Sequence, residues 1–325
     1  MASERVPENS SLKKTEDIKV AVLAGGVGAE REISLQSGKA VSDALKTAGL
    51  QVILSDITPA NLNILDDESI DVFFPALHGE FGEDGQLQRI MDSKGLVYAG
   101  SGWQASELAF DKWKSKSKFE NAGIKATPTV IFENGLTPDI LKNRLSQSSG
   151  KYVVKPARQG SSVGISIVDS PAEAIENARK TEQQFGKTMI ETYIKGREIT
   201  VGIVGEKPLD IVEVKPAGGF YDYHAKYDDE KTGFEFDTIG DKQLERRIKQ
   251  TAVDCFNLLG CRDFSRVDFI LAEDDNFYVL EVNTIPGFTT HSLLPMAAGR
   301  AGMKMPDLCR KIVEMALGSK QQGEN

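Results

Sequence analysis

Two periodicities alternate along this chain. Short apolar runs at residues 19–24, 52–54 and 72–77 read as buried strands. Between the first two, Val41, Ala44, Leu45 and Ala48 recur at i, i+3, i+4 and i+7, the spacing of one helical face, and Gly49 stands where a left-handed residue closes a helix. Strand, helix, strand in that order predicts a parallel sheet covered on both faces. A helix at about 86–93 and a strand at 96–98 complete a unit spanning 18–102. A second unit, 103–197, carries a helix around 112–122 and strands near Thr129, 152–155, 164–168 and 189–191. The third, 198–318, holds a strand pair near 198–215, a helix near 243–259 and strands ending at Asp268 and Glu281. Tails are expected at 1–17, polar and without the apolar core of a secretion signal, and at 319–325. The segment at about 215–237 is Gly- and Tyr-rich and long for an internal connection, so it reads as a lid.

Composition narrows the partners. With 39 basic and 48 acidic residues the net charge is −9, which argues against nucleic acid and against an anionic membrane surface. No apolar run approaches the roughly 18 residues of a membrane span. Cys255, Cys261 and Cys309 lack CxxC spacing and read as buried free thiols of a reducing cytoplasm.

The candidate chemistry sits at strand ends and in glycine-rich loops. Glu281 and Asn283 follow an apolar run two residues apart, so a strand presents both on one face, and Asp268 adds a third oxygen from the neighbouring strand. Three hard oxygen ligands suit Mg²⁺ completed by substrate phosphates; a polar strand end is the plain alternative. Gly26-Val27-Gly28 after the first strand invites a dinucleotide reading, but Arg31 occupies the position of the third glycine. There is no GxxxxGK[ST] loop. Lys155-Pro156-Ala157-Arg158-Gln159-Gly160-Ser161-Ser162-Val163-Gly164 follows a strand instead, and its backbone N–H groups, serines and lysine suit a phosphate cover or, more simply, a hairpin turn.

Five segments in order carry a family resemblance: residues 25–34, 76–85, 155–164, 220–227 and 281–293. Over about 18–317 the chain resembles the D-alanine–D-alanine ligases of the ATP-grasp superfamily. The resemblance implies an α/β and α+β fold of three domains, an N-terminal parallel-sheet domain ahead of two ATP-grasp subdomains that sandwich ATP. It also implies Mg²⁺ or Mn²⁺ (two ions), a cytoplasmic homodimer, and synthesis of the D-alanyl-D-alanine of peptidoglycan precursors, hence a part in cell-wall biogenesis and cell shape.

By matched position, Asp268, Glu281 and Asn283 would hold the metals, and Lys112, Lys155 and Ser162 the ATP phosphates. Glu191, Ile194 and Glu198 would meet adenosine, and Arg266 would stabilise the developing oxyanion. Glu30 would bind the ammonium of the first D-alanine near His78, Ser161 and Tyr227 would link with Glu30 to position substrates and close the loop, and Lys226 would contact substrate and bear on its choice. Ser292 and the backbone at Leu293 would take the carboxylate of the second D-alanine. Lys112 has a competing reading as a solvated helix lysine beside Lys114, Lys116 and Lys118, and His78 one as a loop histidine satisfied by backbone. His224 stands where relatives are often acidic, and Ser265 where glycine is frequent. The alternatives are a ligase that uses D-lactate or D-serine second, and a non-catalytic nucleotide-binding paralogue.

Overall fold

The computed structural model describes residues 14–145, 150–216 and 232–322. β1 (Lys19–Gly25) is the middle strand of a three-stranded parallel sheet, between β2 (Gln51–Ile57) and β3 (Val72–Pro75). Alternate residues of β1 enter different cores. Val20 and Val22 pack with Val41 and Leu45 of α1 (Arg31–Thr47), and Ala21 and Leu23 with Leu87 and Met91 of α2 (Gln86–Ser93). Burial on both faces is why the strand reads as a continuous apolar run. Gly49, at φ +89°, turns the chain out of α1.

The strand expected at 96–98 is not formed. Tyr98 makes only an isolated bridge to Phe73, and Gly100, at φ +93°, turns the chain away to donate its N–H to Asp263. α3 (Trp103–Phe110) and α4 (Lys112–Asn121) follow.

The second sheet is antiparallel, in the order β4 (Thr129–Ile131), β7 (Thr188–Thr192), β5 (Tyr152–Pro156), β6 (Ser166–Val168). Against it lie α5 (Pro138–Arg144) and α6 (Pro171–Phe185), which the periodicity alone left unread. Both carry a start signal: Thr137 and Ser170 accept the N–H of Ile140 and Glu173, and proline takes the first helical turn.

The third sheet, also antiparallel, runs β10 (Gly233–Glu235), β9 (Lys207–Lys215), β8 (Gly196–Val204), β11 (Phe264–Ala272), β12 (Phe277–Asn283). α7 (Lys242–Leu259) covers one face, capped by Asp241 and closed by Gly260 at φ +75°. Two strand ends differ from expectation. β11 continues past Asp268 to Ala272, and β12 past Glu281 to Asn283. The apolar run 269–271 still alternates into the core beneath α7, and a register shift after Asp268 absorbs the bend.

α8 (Leu293–Arg300) and α9 (Met305–Gln322) end the described chain. Leu308, Ile312 and Val313 of α9 join Val20, Val22 and Val41 in one core. Phe74, Phe264 and Phe288 meet edge to face or stacked within it, so the loop after β12 is anchored against both the first and third sheets.

Candidate active site

The β11–β12 ladder sets Asp268 opposite Glu281 and Arg266 opposite Asn283. Strand alternation places all four on one face. Arg266 grips Asp268 with two parallel bonds of 2.8 Å, Nε to Oδ1 and a terminal nitrogen to Oδ2. Asn283 Nδ2 donates to Asp268 Oδ2 at 2.9 Å, and Thr200 Oγ1 to Oδ1 at 2.5 Å. Lys112 Nζ lies 3.1 Å from Glu281 Oε2. The donor set is two carboxylates and an amide, all hard oxygen, and each carboxylate is now neutralised by a protein cation. Such a set fits Mg²⁺ or Mn²⁺ completed by phosphate oxygens, rather than a cage built wholly from protein.

A cavity of about 300 Å³ opens between the second and third sheets, lined by Lys112, Lys155, Ser162, Glu191, Ile194 and Glu198. Lys112 is not a solvated helix lysine. It begins α4 on the buried face, its Nζ donating to the Gln159 carbonyl at 2.6 Å, while Lys114 and Lys118 face solvent. Lys116, one turn on, shares that buried face and binds Glu191 Oε1; Lys155 holds Oε2 at 3.0 Å. Burial alone would raise the Glu191 carboxyl, but Lys116 and Lys155 hold it down at about 2. Burial pushes Lys116 the other way, down to about 8, against the pull of Glu191.

A smaller cavity of about 70 Å³ adjoins the first, with Glu281 in the wall of both. Glu30, His78, Ser161, Arg266, Asn283 and Ser292 line it, with Leu293. Ser161, left-handed at φ +49°, donates its hydroxyl to Glu30 Oε1. Two glycines make room for that carboxylate. A Cβ on Gly79 would stand 2.1 Å from Glu30 Oε2, and one on Gly160 2.9 Å from either oxygen. Burial, then the nearby Glu83 carboxylate, raise the Glu30 carboxyl, against the Ser161 hydroxyl, His78 and Lys112.

His78 lines the cavity with both ring nitrogens engaged. Nδ1 donates to the Ile285 carbonyl at 3.1 Å, and Nε2 is hydrogen-bonded to Ser37 Oγ at 2.9 Å. Its backbone N–H goes to Ser34 Oγ. The histidine therefore touches the cavity with a ring whose orientation the protein fixes. Ser292 accepts the Thr289 N–H at 2.9 Å and stands at the start of α8, which no side chain caps.

Of the residues given a metal, ATP or substrate role in the sequence, those within the described chain all line one of these cavities except Asp268, which is bonded to two that do. Lys226, Tyr227 and His224, with most of the expected lid, lie outside the described residues. The sequence reading missed Lys116, Thr200, Ser34, Ser37 and Glu83. For Lys116 a signal existed: it stands four residues after Lys112, on the same helical face.

Converging lysines beside a cavity, and a carboxylate face shared with a second cavity, are the arrangement that an ATP-dependent ligase of the ATP-grasp class requires. Two family models match the chain: D-ala D-ala ligase N-terminus over residues 61–101 and D-ala D-ala ligase C-terminus over 119–314. The chain belongs to the D-alanine–D-alanine ligase family. It is 41% identical over 297 residues to the D-alanine–D-alanine ligase of Methylacidiphilum infernorum, covering 91% of this chain and 95% of that one. Against D-alanine–D-alanine ligase B of Chromobacterium violaceum it is 39% identical over 300 residues, covering 91% and 97%. Among solved structures, the Bacillus anthracis D-alanine–D-alanine ligase complexed with ATP superposes with a TM-score of 0.81 at 29% identity, over 94% of this chain and 99% of that one. The VanG D-Ala:D-Ser ligase of Enterococcus faecalis superposes with a TM-score of 0.78 at 28% identity, over 92% and 99%.

Proposed function

We propose that this enzyme uses ATP to join two D-alanine molecules through a D-alanyl phosphate. The observation that carries the reading is the junction at Glu281 of a lysine-lined cavity of about 300 Å³ and a smaller one holding Glu30, Arg266 and Ser292. ATP takes the larger cavity, its phosphates on Lys112, Lys155 and Ser162 and its adenosine near Glu191, Ile194 and Glu198. The first D-alanine places its ammonium on Glu30, beside His78. One of its carboxylate oxygens attacks the γ-phosphorus, the bond to ADP breaks, and the acyl phosphate forms.

The second D-alanine is held by its carboxylate on Ser292 and the N–H of Leu293 at the start of α8, where the helix end favours an anion. Its amine, once deprotonated, attacks the acyl carbon. Arg266 offsets the charge on the carbonyl oxygen, and phosphate leaves with the carbon–oxygen electron pair. Asp268, Glu281 and Asn283 would hold Mg²⁺ or Mn²⁺, which supplies charge neutralisation at the phosphate oxygens. Lys226 and Tyr227, on the lid at about 215–237, would close over the site and exclude water from the acyl phosphate.

The three units 18–102, 103–197 and 198–318 serve in this reading as the substrate-binding domain and the two halves of the ATP clamp. Family membership supports a homodimer and a role in peptidoglycan precursor synthesis. Use of ATP and three buried free cysteines support the cytoplasm as its place of work. No helix among the described residues is long and apolar enough to cross a membrane.

A D-serine- or D-lactate-using ligase shares this fold, but Glu30, Tyr227 and Ser292 favour D-alanine at both positions. A non-catalytic paralogue would be expected to have lost a metal ligand, Arg266 or the lid lysine, and the sequence keeps Asp268, Glu281, Asn283, Arg266 and Lys226. Phosphate release from ATP and Mg²⁺ with D-alanine, with and without D-lactate or D-serine, tests the reading, products being identified by mass. D-Alanyl-D-alanine in step with phosphate is expected. A mixed product as the main species would replace the second substrate, and no product with any amino acid would overturn the assignment.

A further inference from the structure

Lys116 is 1% exposed, yet carries an ammonium group. Its Nζ donates to Glu191 Oε1 and to Thr127 Oγ1, and Thr129 Oγ1 adds a bond of 3.3 Å to the same carboxylate oxygen. The other oxygen, Oε2, is taken by Lys155 at 3.0 Å. One buried carboxylate thus has two ammonium partners. With two ammonium partners, one can be drawn away without stranding the carboxylate, whose burial with no partner would cost several kcal/mol.

Only one of the two lysines has elsewhere to go. Lys155, Glu191 and Thr127 line the 300 Å³ cavity, whereas Lys116 is absent from its wall and is enclosed among α4, β4 and β7. On the reading that ATP fills this cavity, Lys155 is within the reach of phosphate and Lys116 is not. We propose that Lys116 is a positioning residue. It keeps Glu191 ionised and fixed as an acceptor on the cavity wall, so that Lys155 can turn to the nucleotide without leaving a buried carboxylate unpaired.

The proposal separates Lys116 from a lysine that merely fills space. If its task is to neutralise Glu191, its removal should matter only while residue 191 is charged. The test is a double-mutant cycle on the full chain, with Lys116→Met, which keeps an unbranched side chain of similar length, and Glu191→Gln. ADP affinity is measured by calorimetry, with thermal midpoints alongside and KM for ATP against kcat.

Lys116→Met is expected to weaken ADP binding about 10-fold or more when residue 191 is Glu, and less than about 2-fold in the Glu191→Gln background. KM for ATP should rise more than kcat falls. Equal losses in both backgrounds, or no loss in either, would overturn the proposal while leaving the ATP site intact. Should Lys116→Met alone fail to fold, Glu191→Gln is expected to restore folding, and failure of the double variant too would make Lys116 purely structural. Wild-type protein that does not bind ADP at all would overturn the nucleotide-site reading and this inference with it.

Discussion

Ser161 donates its hydroxyl to the carboxylate of Glu30 across 131 residues of sequence, and so ties the loop after β5 to the loop after β1. The bond opposes burial and the Glu83 carboxylate, which together raise the Glu30 carboxyl above its usual range. If Glu30 must be ionised to hold an ammonium group, activity falls as pH drops through that raised value. Ser161→Ala removes a lowering influence, so the acidic limb of kcat/KM for D-alanine should move to higher pH. At neutral pH the loss should be about 10-fold, the scale of one hydrogen bond to a charged group. A pH profile of both proteins checks this, and an unmoved acidic limb would contradict it.

Gly79 and Gly160 are spacers for the same carboxylate. The Cβ of an alanine at residue 160 would meet both Glu30 oxygens at 2.9 Å without any demand for a positive φ, so Gly160→Ala displaces Glu30 while sparing the backbone. A displacement approaching 1 Å costs roughly 100-fold in rate when it moves a positioning group. KM for the first D-alanine should rise sharply, and the thermal midpoint should change little. Gly79→Ala, with φ +70° and a 2.1 Å approach, should lose both activity and stability. Steady-state kinetics with parallel melting curves separates the two.

What was legible in the sequence was local. The β1 and α1 patterns, the apolar run before Glu281 and the glycine loops each fit within a few residues, and the structure places them where their periodicity says. Asp268 and Arg266 share a face because strands alternate, which needs no tertiary knowledge. The contacts that escaped were long-range. Lys116 meets Glu191 75 residues away: the i, i+4 spacing puts Lys112 and Lys116 on one face, but only β7 packed beside that face supplies the carboxylate it turns to. The strand expected at 96–98 failed for a like reason: the pull on Gly100 comes from Asp263, 163 residues on.

Arg266 is held by geometry as well as charge. Its two 2.8 Å bonds to Asp268 fix the plane of the guanidinium beside the smaller cavity, and a lysine cannot reproduce that fork. Arg266→Lys should therefore fold, because Asp268 keeps a cation and bonds from Thr200 and Asn283. Its kcat should fall about 100- to 1,000-fold, the scale of losing one oriented donor to a developing oxyanion. Rapid-quench measurement of ADP formation and dipeptide formation locates the defect. Slowing of dipeptide formation alone is the expected result, and equal slowing of both would assign Arg266 to phosphoryl transfer instead.

Asp263 offers a test of stability that is independent of catalysis. It is buried at the junction of the first and third sheets, in a left-handed conformation at φ +63°, and accepts the Gly100 N–H at 2.8 Å. Burial pushes its carboxyl up to about 6, against that hydrogen bond and the Arg262 guanidinium. The folded state thus binds a proton more tightly than the unfolded chain between pH about 4 and 6. The associated stability is present below that window and is lost as pH rises through 6, on the order of 2–3 kcal/mol in all. Asparagine tolerates the same backbone, keeps an oxygen for Gly100 and does not titrate. Asp263→Asn should accordingly match wild type near pH 4 and melt higher than wild type at pH 8. The difference between the two melting midpoints, followed across that range, decides it: a constant difference, or a less stable variant at pH 8, would show that the ionised carboxylate is held by its neighbours rather than strained by burial.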